Sequence, residues 1–136
     1  MRVRLFLICV VLLLVAQAGF ARGIKEERET LGYDELSEQV NVYIEAGDYS
    51  NAIPLLKRMH ELNPQALDVI EYLGILYSNI LEERPELTNA LYWLLEAEKR
   101  YSTNNLIYYN LACIYSIKND LEQSEKYINK AIIFGY

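Results

Sequence analysis

The sequence predicts an all-α fold of three stacked helix pairs, and three observations carry that prediction. Tyrosines recur at Tyr43, Tyr77 and Tyr115, with separations of 34 and then 38 residues. Ala52, Ala90 and Ser124 are separated by 38 and then 34, and Met59, Ala97 and Ala131 repeat that pair of spacings. Gly47-Asp48 and Asn119-Asp120 interrupt the apolar periodicity within the first and third copies, where one helix would end and an aspartate would cap the next. The two series agree if four extra residues lie between Tyr77 and Ala90, so the repeat is 34 residues long with one insertion in its middle copy. A period of this length means two helices per repeat that cannot bury their faces alone and must stack on their neighbours. No strand is needed.

Taken in order, the expected helices span 33–46, 50–62, 66–81, 86–101, 104–117 and 120–133. Gly47-Asp48 separates the first two, and Pro64 closes the first pair. Pro54 lies near the start of the second helix, which is expected to begin late or bend there rather than break. Pro85 suits the first turn of the fourth helix, where a missing N–H costs nothing. The four extra residues are therefore assigned to a longer loop inside the second pair. Asn119-Asp120 separates the fifth helix from the sixth.

Ahead of the repeats, Arg2 and Arg4 precede an unbroken apolar run from Leu5 to Ala16, followed by the small-x-small site Ala16-Gln17-Ala18. This pattern reads as a signal peptide over 1–18, with Gly19-Phe20-Ala21 as a second cleavage site. The apolar run is too short for the roughly 20 residues of a spanning helix. Residues 19–32, which include Lys25-Glu26-Glu27-Arg28-Glu29, are expected to form a linker or a frayed helix. The remainder, 33–136, is read as one domain with copies at about 33–66, 67–104 and 105–136.

The 136-residue chain carries a formal charge of −6, and cleavage after Ala18 would remove two bases and no acid, moving it to −8. An acidic chain without a basic run has no electrostatic basis for binding phosphate backbones or anionic lipid. Nucleic acid and, after signal cleavage, membrane are accordingly not expected as partners. Cys113 is the only cysteine outside the leader, so no intramolecular disulfide is expected in the exported form.

These residues resemble tetratricopeptide repeats from about Tyr33 onward. The third copy carries Tyr108, Leu111, Ala112, Tyr115, Asn119-Asp120, Ser124, Ile128 and Ala131 in the family's register. The second supplies Ile70, Leu73, Gly74, Tyr77, Ala90, Leu94 and Ala97. The first has Leu36, Tyr43, Gly47-Asp48-Tyr49, Ala52, Leu56, Met59 and Pro64, but places Gln39 and Val40 where a leucine and a small residue are expected. The resemblance implies a right-handed α-α superhelix whose concave groove is lined by the first helix of each pair. By register the lining is Asp34, Ser37, Asn41 and Glu45, then Asp68, Glu71, Ile75, Ser78 and Asn79, then Leu106, Tyr109, Cys113, Ser116 and Ile117. Family members that clamp a peptide carboxylate use Lys and Arg from successive first helices, and only Asn41 and Asn110 of that pattern are present.

The expected partner is therefore another protein or a peptide with apolar and basic side chains, bound at Asn41, Asp68, Glu71, Ile75, Asn79 and Tyr109. The family's extra polar capping helix has no obvious counterpart, so the last helix is expected to expose Ile128, Ile132, Ile133, Phe134 and Tyr136. A second copy could cover that surface, which makes a homodimer the alternative; a small ligand held for a transport or envelope assembly is a third reading. The leader points to a periplasmic or secreted scaffold of a bacterium with two membranes. No catalytic, cofactor or metal site is expected. His60 stands alone late in a helix, and Glu26-Glu27 and Glu82-Glu83 are sequence neighbours rather than converging pairs. Trp93 with Tyr92 reads as inter-repeat packing, Tyr108 as core, and Cys113 as a partly buried thiol.

Overall fold

The computed structural model describes residues 31–80 and 84–136, with side chains in the second stretch from Leu87 onward. The expected signal peptide, both cleavage sites and nearly all of the linker lie outside the described residues. Six helices follow one another: α1 (Tyr33–Glu45), α2 (Tyr49–Leu62), α3 (Leu67–Asn79), α4 (Arg84–Lys99), α5 (Asn105–Ile117) and α6 (Leu121–Ile133). Among the described residues there is no strand. Each helix packs on the next, and α3 also packs on α5, so the first helices of the second and third pairs stand side by side.

Local chemistry explains the boundaries. Asp48 Oδ1 accepts the Asn51 N–H at 3.2 Å, and Asp120 Oδ1 accepts the Gln123 N–H at 3.2 Å, so the same cap starts α2 and α6. Asn104 does this for α5 through the Leu106 N–H at 3.1 Å. Four helices end in a Schellman turn, in which one left-handed residue lets the following N–H return to the carbonyl five residues back. Those residues are Gly47 and Asn119, as the sequence suggests, and also Gly135 and Tyr101, the latter at φ 60°. The Ser102 N–H returns to the Ala97 carbonyl and the Tyr101 N–H to that of Glu98, which is why α4 stops at Lys99 rather than at 101.

Two expectations are corrected. The insertion barely lengthens a loop. Helix α4 begins six residues before Ala90, whereas α2 and α6 begin three before Ala52 and Ser124, so three of the four extra residues extend the helix. Helix growth adds a backbone hydrogen bond for each residue and leaves the packed face untouched, which a longer loop would not do. Nor does α2 begin late. It starts at Tyr49 and runs through Pro54, held by the Asp48 cap and by buried Ala52, Ile53, Leu55, Leu56 and Met59.

The core repeats the sequence periodicity. Leu36, Ile70 and Tyr108 are equivalent and buried, as are Val40, Gly74 and Ala112, and then Ala52 with Ala90. Gly74 permits the closest approach. A Cβ there would lie 2.8 Å from Leu94 Cδ2, 3.0 Å from its Cγ and 3.1 Å from its backbone N. Val40 fills the small-residue position of the first pair while remaining buried, and Gln39 is exposed. The equivalent positions Leu73 and Leu111 are fully buried.

Candidate functional site

The first helices carry the expected binding residues, and the structure distributes them unevenly. Asn41 in α1, Asp68 in the first turn of α3 and Asn79 at its end are exposed, and Ile75 is half-buried. Among the described residues the Asn41, Asp68 and Asn79 side chains make no hydrogen bond. Asp34 and Asp68 converge on Tyr33, whose hydroxyl is pushed above its ordinary pKa by burial and then by these two carboxylates. One end of the surface is thus acidic. Both aspartates stand in first turns, where the helix dipole also favours them.

Glu71 differs from its neighbours. Its Oε1 accepts the Ser102 hydroxyl at 2.6 Å and its Oε2 accepts Asn104 Nδ2 at 3.1 Å. Ser102 is buried, its Oγ also accepts the Asn104 N–H at 3.2 Å, and its carbonyl accepts the Tyr108 hydroxyl. This network fastens the turn before α5 onto α3, with both carboxylate oxygens committed inside the chain. Ser102 and Asn104 escaped sequence reasoning because their partner lies 31 to 33 residues upstream. The one local signal was a capping-type Asn immediately before an apolar run.

A second network joins α4 to α6. Glu98 accepts from Lys130 Nζ and, at 2.7 Å, from the Tyr127 hydroxyl. Burial raises the Glu98 carboxyl, but these two donors outweigh it and its pKa falls below the usual value. Burial and the bond to Glu98 raise the pKa of Tyr127. Lys130 lies 5.3 Å from the ring centre of Tyr108, which stacks on Phe134 at 5.1 Å. Phe134 therefore contributes partly to internal packing.

Tyr109, expected in the groove, stacks on Tyr136 with ring centres 4.4 Å apart, so a groove residue and an open-end residue meet. Hydrogen bonding to Tyr136 and to Cys113 pushes the Tyr109 hydroxyl up to about 12. Cys113, Ser116 and Ile117 border a concavity of about 540 Å³ with Leu121, Ser124, Glu125 and Ile128. A second cleft of about 490 Å³ lies on the other side of Ile117, between Leu87, Thr88, Leu91 and Lys118. Of the other open-end residues, Ile132, Ile133 and Tyr136 are exposed. His60 and Trp93 meet edge to face at 5.0 Å, and Tyr92 meets Trp93 likewise at 5.0 Å, so the tryptophan bridges α2 and α4. The described residues hold no group of three or more His, Cys, Asp or Glu placed to bind a metal ion. They also hold no helix long and apolar enough to cross a membrane.

Three helix pairs in register, small residues at their close approaches and the same cap opening α2 and α6 match one architecture. The family model described as tetratricopeptide repeat matches residues 107–132, nearly the whole of α5 and α6. The third helix pair is thus similar to a tetratricopeptide repeat, and the first two pairs repeat its spacing. No curated protein matches it. Tetratricopeptide repeats generally mediate protein–protein interaction, and proteins built from them are typically non-enzymatic scaffolds. In this repeat protein the surfaces available for such work are the exposed edge of α1 and α3 and the outer face of the last pair.

Proposed function

We propose that this repeat protein is an exported adaptor or scaffold of the bacterial cell envelope that holds a partner protein or peptide on the concave surface of its first helices. The observation that carries the reading is the unused hydrogen-bonding capacity of Asn41, Asp68 and Asn79 on the helices that include half-buried Ile75, whereas Glu71 of α3 is fully engaged. Asn41, Ile75 and Cys113 occupy equivalent positions, so an extended ligand would meet one of them at each step along the array. With Asp34 and Asp68 at one end, the ligand chemistry that fits is apolar side chains flanked by basic ones. Export is supported by the Arg2-Arg4 start, the apolar run and the Ala16-Gln17-Ala18 site.

The test is photocrosslinking in cells with the probe at Ile75, with products identified by mass spectrometry. A distinct protein should be captured, and Asp68→Lys should abolish its capture while circular dichroism remains unchanged. Glu71 is unsuitable for this test because its removal releases Ser102 and Asn104. Absence of any product other than the chain itself, or a product indifferent to Asp68→Lys, would overturn the reading. N-terminal sequencing of the mature protein should begin at Gly19 or Arg22, and an intact Met1 would remove the export half of the proposal.

A further inference from the structure

The third helix pair departs from the first two at four positions on its surface. By the 34- and 38-residue spacings, Leu106 stands where Asp34 and Asp68 stand, and Ile117 where Glu45 and Asn79 stand. Ile132 replaces His60 and Glu98, and Ile133 replaces Glu61 and Lys99. All four are exposed, at 44%, 64%, 59% and 77%. Apolar residues that appear only in the last copy, and face water there, contribute nothing to the internal core and cost solubility. The other end of the array is different. Val69, Leu73 and Leu76 in α3 and the equivalent Ile107, Leu111 and Ile114 in α5 are all buried, whereas their α1 equivalents Glu35, Gln39 and Val42 are all exposed.

We infer that the protein forms a two-fold dimer in which the outer face of its third helix pair packs against the same face of a second copy. Three observations select that occupant. A head-to-tail stack would set the apolar face on Glu35 and Gln39 with only Val42 apolar between them, whereas an isologous contact matches apolar with apolar and closes on itself. The areas also agree. Leu106, Ile117, Leu121, Ile132, Ile133 and Tyr136 together expose on the order of 700 Å², taking about 200 Å² for one large side chain, against the roughly 800 Å² per partner of a stable interface. The charges are self-complementary as well. Lys118 flanks Ile117 in the cleft with Leu87 and Leu91, and Glu125 flanks it in the concavity with Ile128. A two-fold axis near Ile117 sets the lysine of each copy against the glutamate of the other. The interface uses none of Asn41, Asp68, Ile75 or Asn79, but Leu106 and Ile117 continue the same first-helix row, so the two readings share only the third-pair end of that surface.

Sedimentation equilibrium of the purified protein between about 1 and 100 μM tests the dimer. The expected mass is twice that of the monomer. Restoring the polar residues of the earlier pairs, Ile117→Asn with Ile132→Glu, should raise the dissociation constant at least about 100-fold, with the helical spectrum retained because both side chains are exposed. Val42→Asp, at the opposite end, should leave the mass unchanged. A monomer throughout overturns the inference, including one whose outer face is covered by its own residues 1–30. So does a dimer that survives the double variant or dissolves with Val42→Asp. If the double variant does not fold, the wild type still decides: N-ethylmaleimide should alkylate Cys113 more slowly as protein concentration rises, and a concentration-independent rate overturns the inference. Crosslinking at Ile75 reads the concave surface separately, so either reading can fail alone.

Discussion

Replacing Gly74 with alanine should destabilise the protein, although helix propensity alone predicts the opposite. In the interior of α3 alanine is favoured over glycine by about 1 kcal/mol. Against that gain, the new Cβ would lie 2.8 Å and 3.0 Å from Leu94 side-chain carbons and 3.1 Å from the Leu94 backbone N, all inside the ordinary 3.5–4.0 Å contact. Leu94 is fully buried and cannot swing away. Its backbone cannot retreat without moving α4, whose Ala90 and Ala97 are themselves at zero exposure. Overpacking of this kind costs about 1–3 kcal/mol; with a contact as short as 2.8 Å and a buried backbone N at 3.1 Å the upper part of that range applies, so the net loss should be up to about 2 kcal/mol, read as a lower urea midpoint at unchanged slope. Leu94→Ala alone should cost about 2–5 kcal/mol. The double variant should cost less than the sum by at least about 1 kcal/mol, because the methyl of residue 74 then enters the space the leucine vacated. A raised midpoint for Gly74→Ala, or strict additivity in the cycle, would refute the claim that these two residues set the α3–α4 distance.

Three further outcomes follow from the same geometry. Tyr101→Gly should raise stability by about 0.5–1 kcal/mol in urea titration, because a bulky residue is held at φ 60°, a conformation that costs L-residues about 1–2 kcal/mol. Glu98→Gln should cost about 1–2 kcal/mol at neutral pH through weakened bonds to Lys130 and Tyr127. Because the folded pKa of Glu98 lies below its ordinary 4.5, its contribution is complete above that value and lost as pH falls through the lower, folded one; the variant's deficit should therefore shrink below about pH 4.5 in parallel acid titrations. Ser102→Ala should cost about 1–3 kcal/mol by leaving the Glu71 carboxylate and the Asn104 N–H without their shared hydroxyl. Hydrogen exchange should then quicken first in the opening turn of α5.

The helix pairs were legible in the sequence because their signal is periodic and local: tyrosines at fixed spacing, small residues between them, and an aspartate after each of two turns. The insertion was legible only as a count. Four extra residues between Tyr77 and Ala90 look the same whether they widen a loop or lengthen a helix, and the early start of α4 at Arg84 shows that three of them lengthen the helix. Gln39 stands in the sequence where the repeat pattern expects a leucine. In three dimensions it marks the solvent-facing end of the array, a meaning that depends on what lies beside it. Glu71 shows the opposite limit. Its residue type and register match a binding surface, yet its two bonds run to Ser102 and Asn104 across the next helix, and no spacing within α3 announces them. Tyr101 was illegible for a different reason, since nothing in a tyrosine forecasts a left-handed turn that the surrounding hydrogen bonds impose.

The contrast between the two ends of the array has a consequence for biosynthesis. Chains emerge from the ribosome amino end first, and a partly made repeat protein must wait with whatever surface its finished portion shows. Here α1, whose exposed face carries Glu35, Gln39 and a single Val42, is made before the third pair and tolerates that delay. The adhesive side chains Ile117, Ile132 and Ile133 follow, when α1 to α4 can already be folded beneath them. Placing them in the first pair instead would leave the nascent chain exposing the same apolar area for most of its synthesis, with neighbouring polysomes as the nearest surface to cover it.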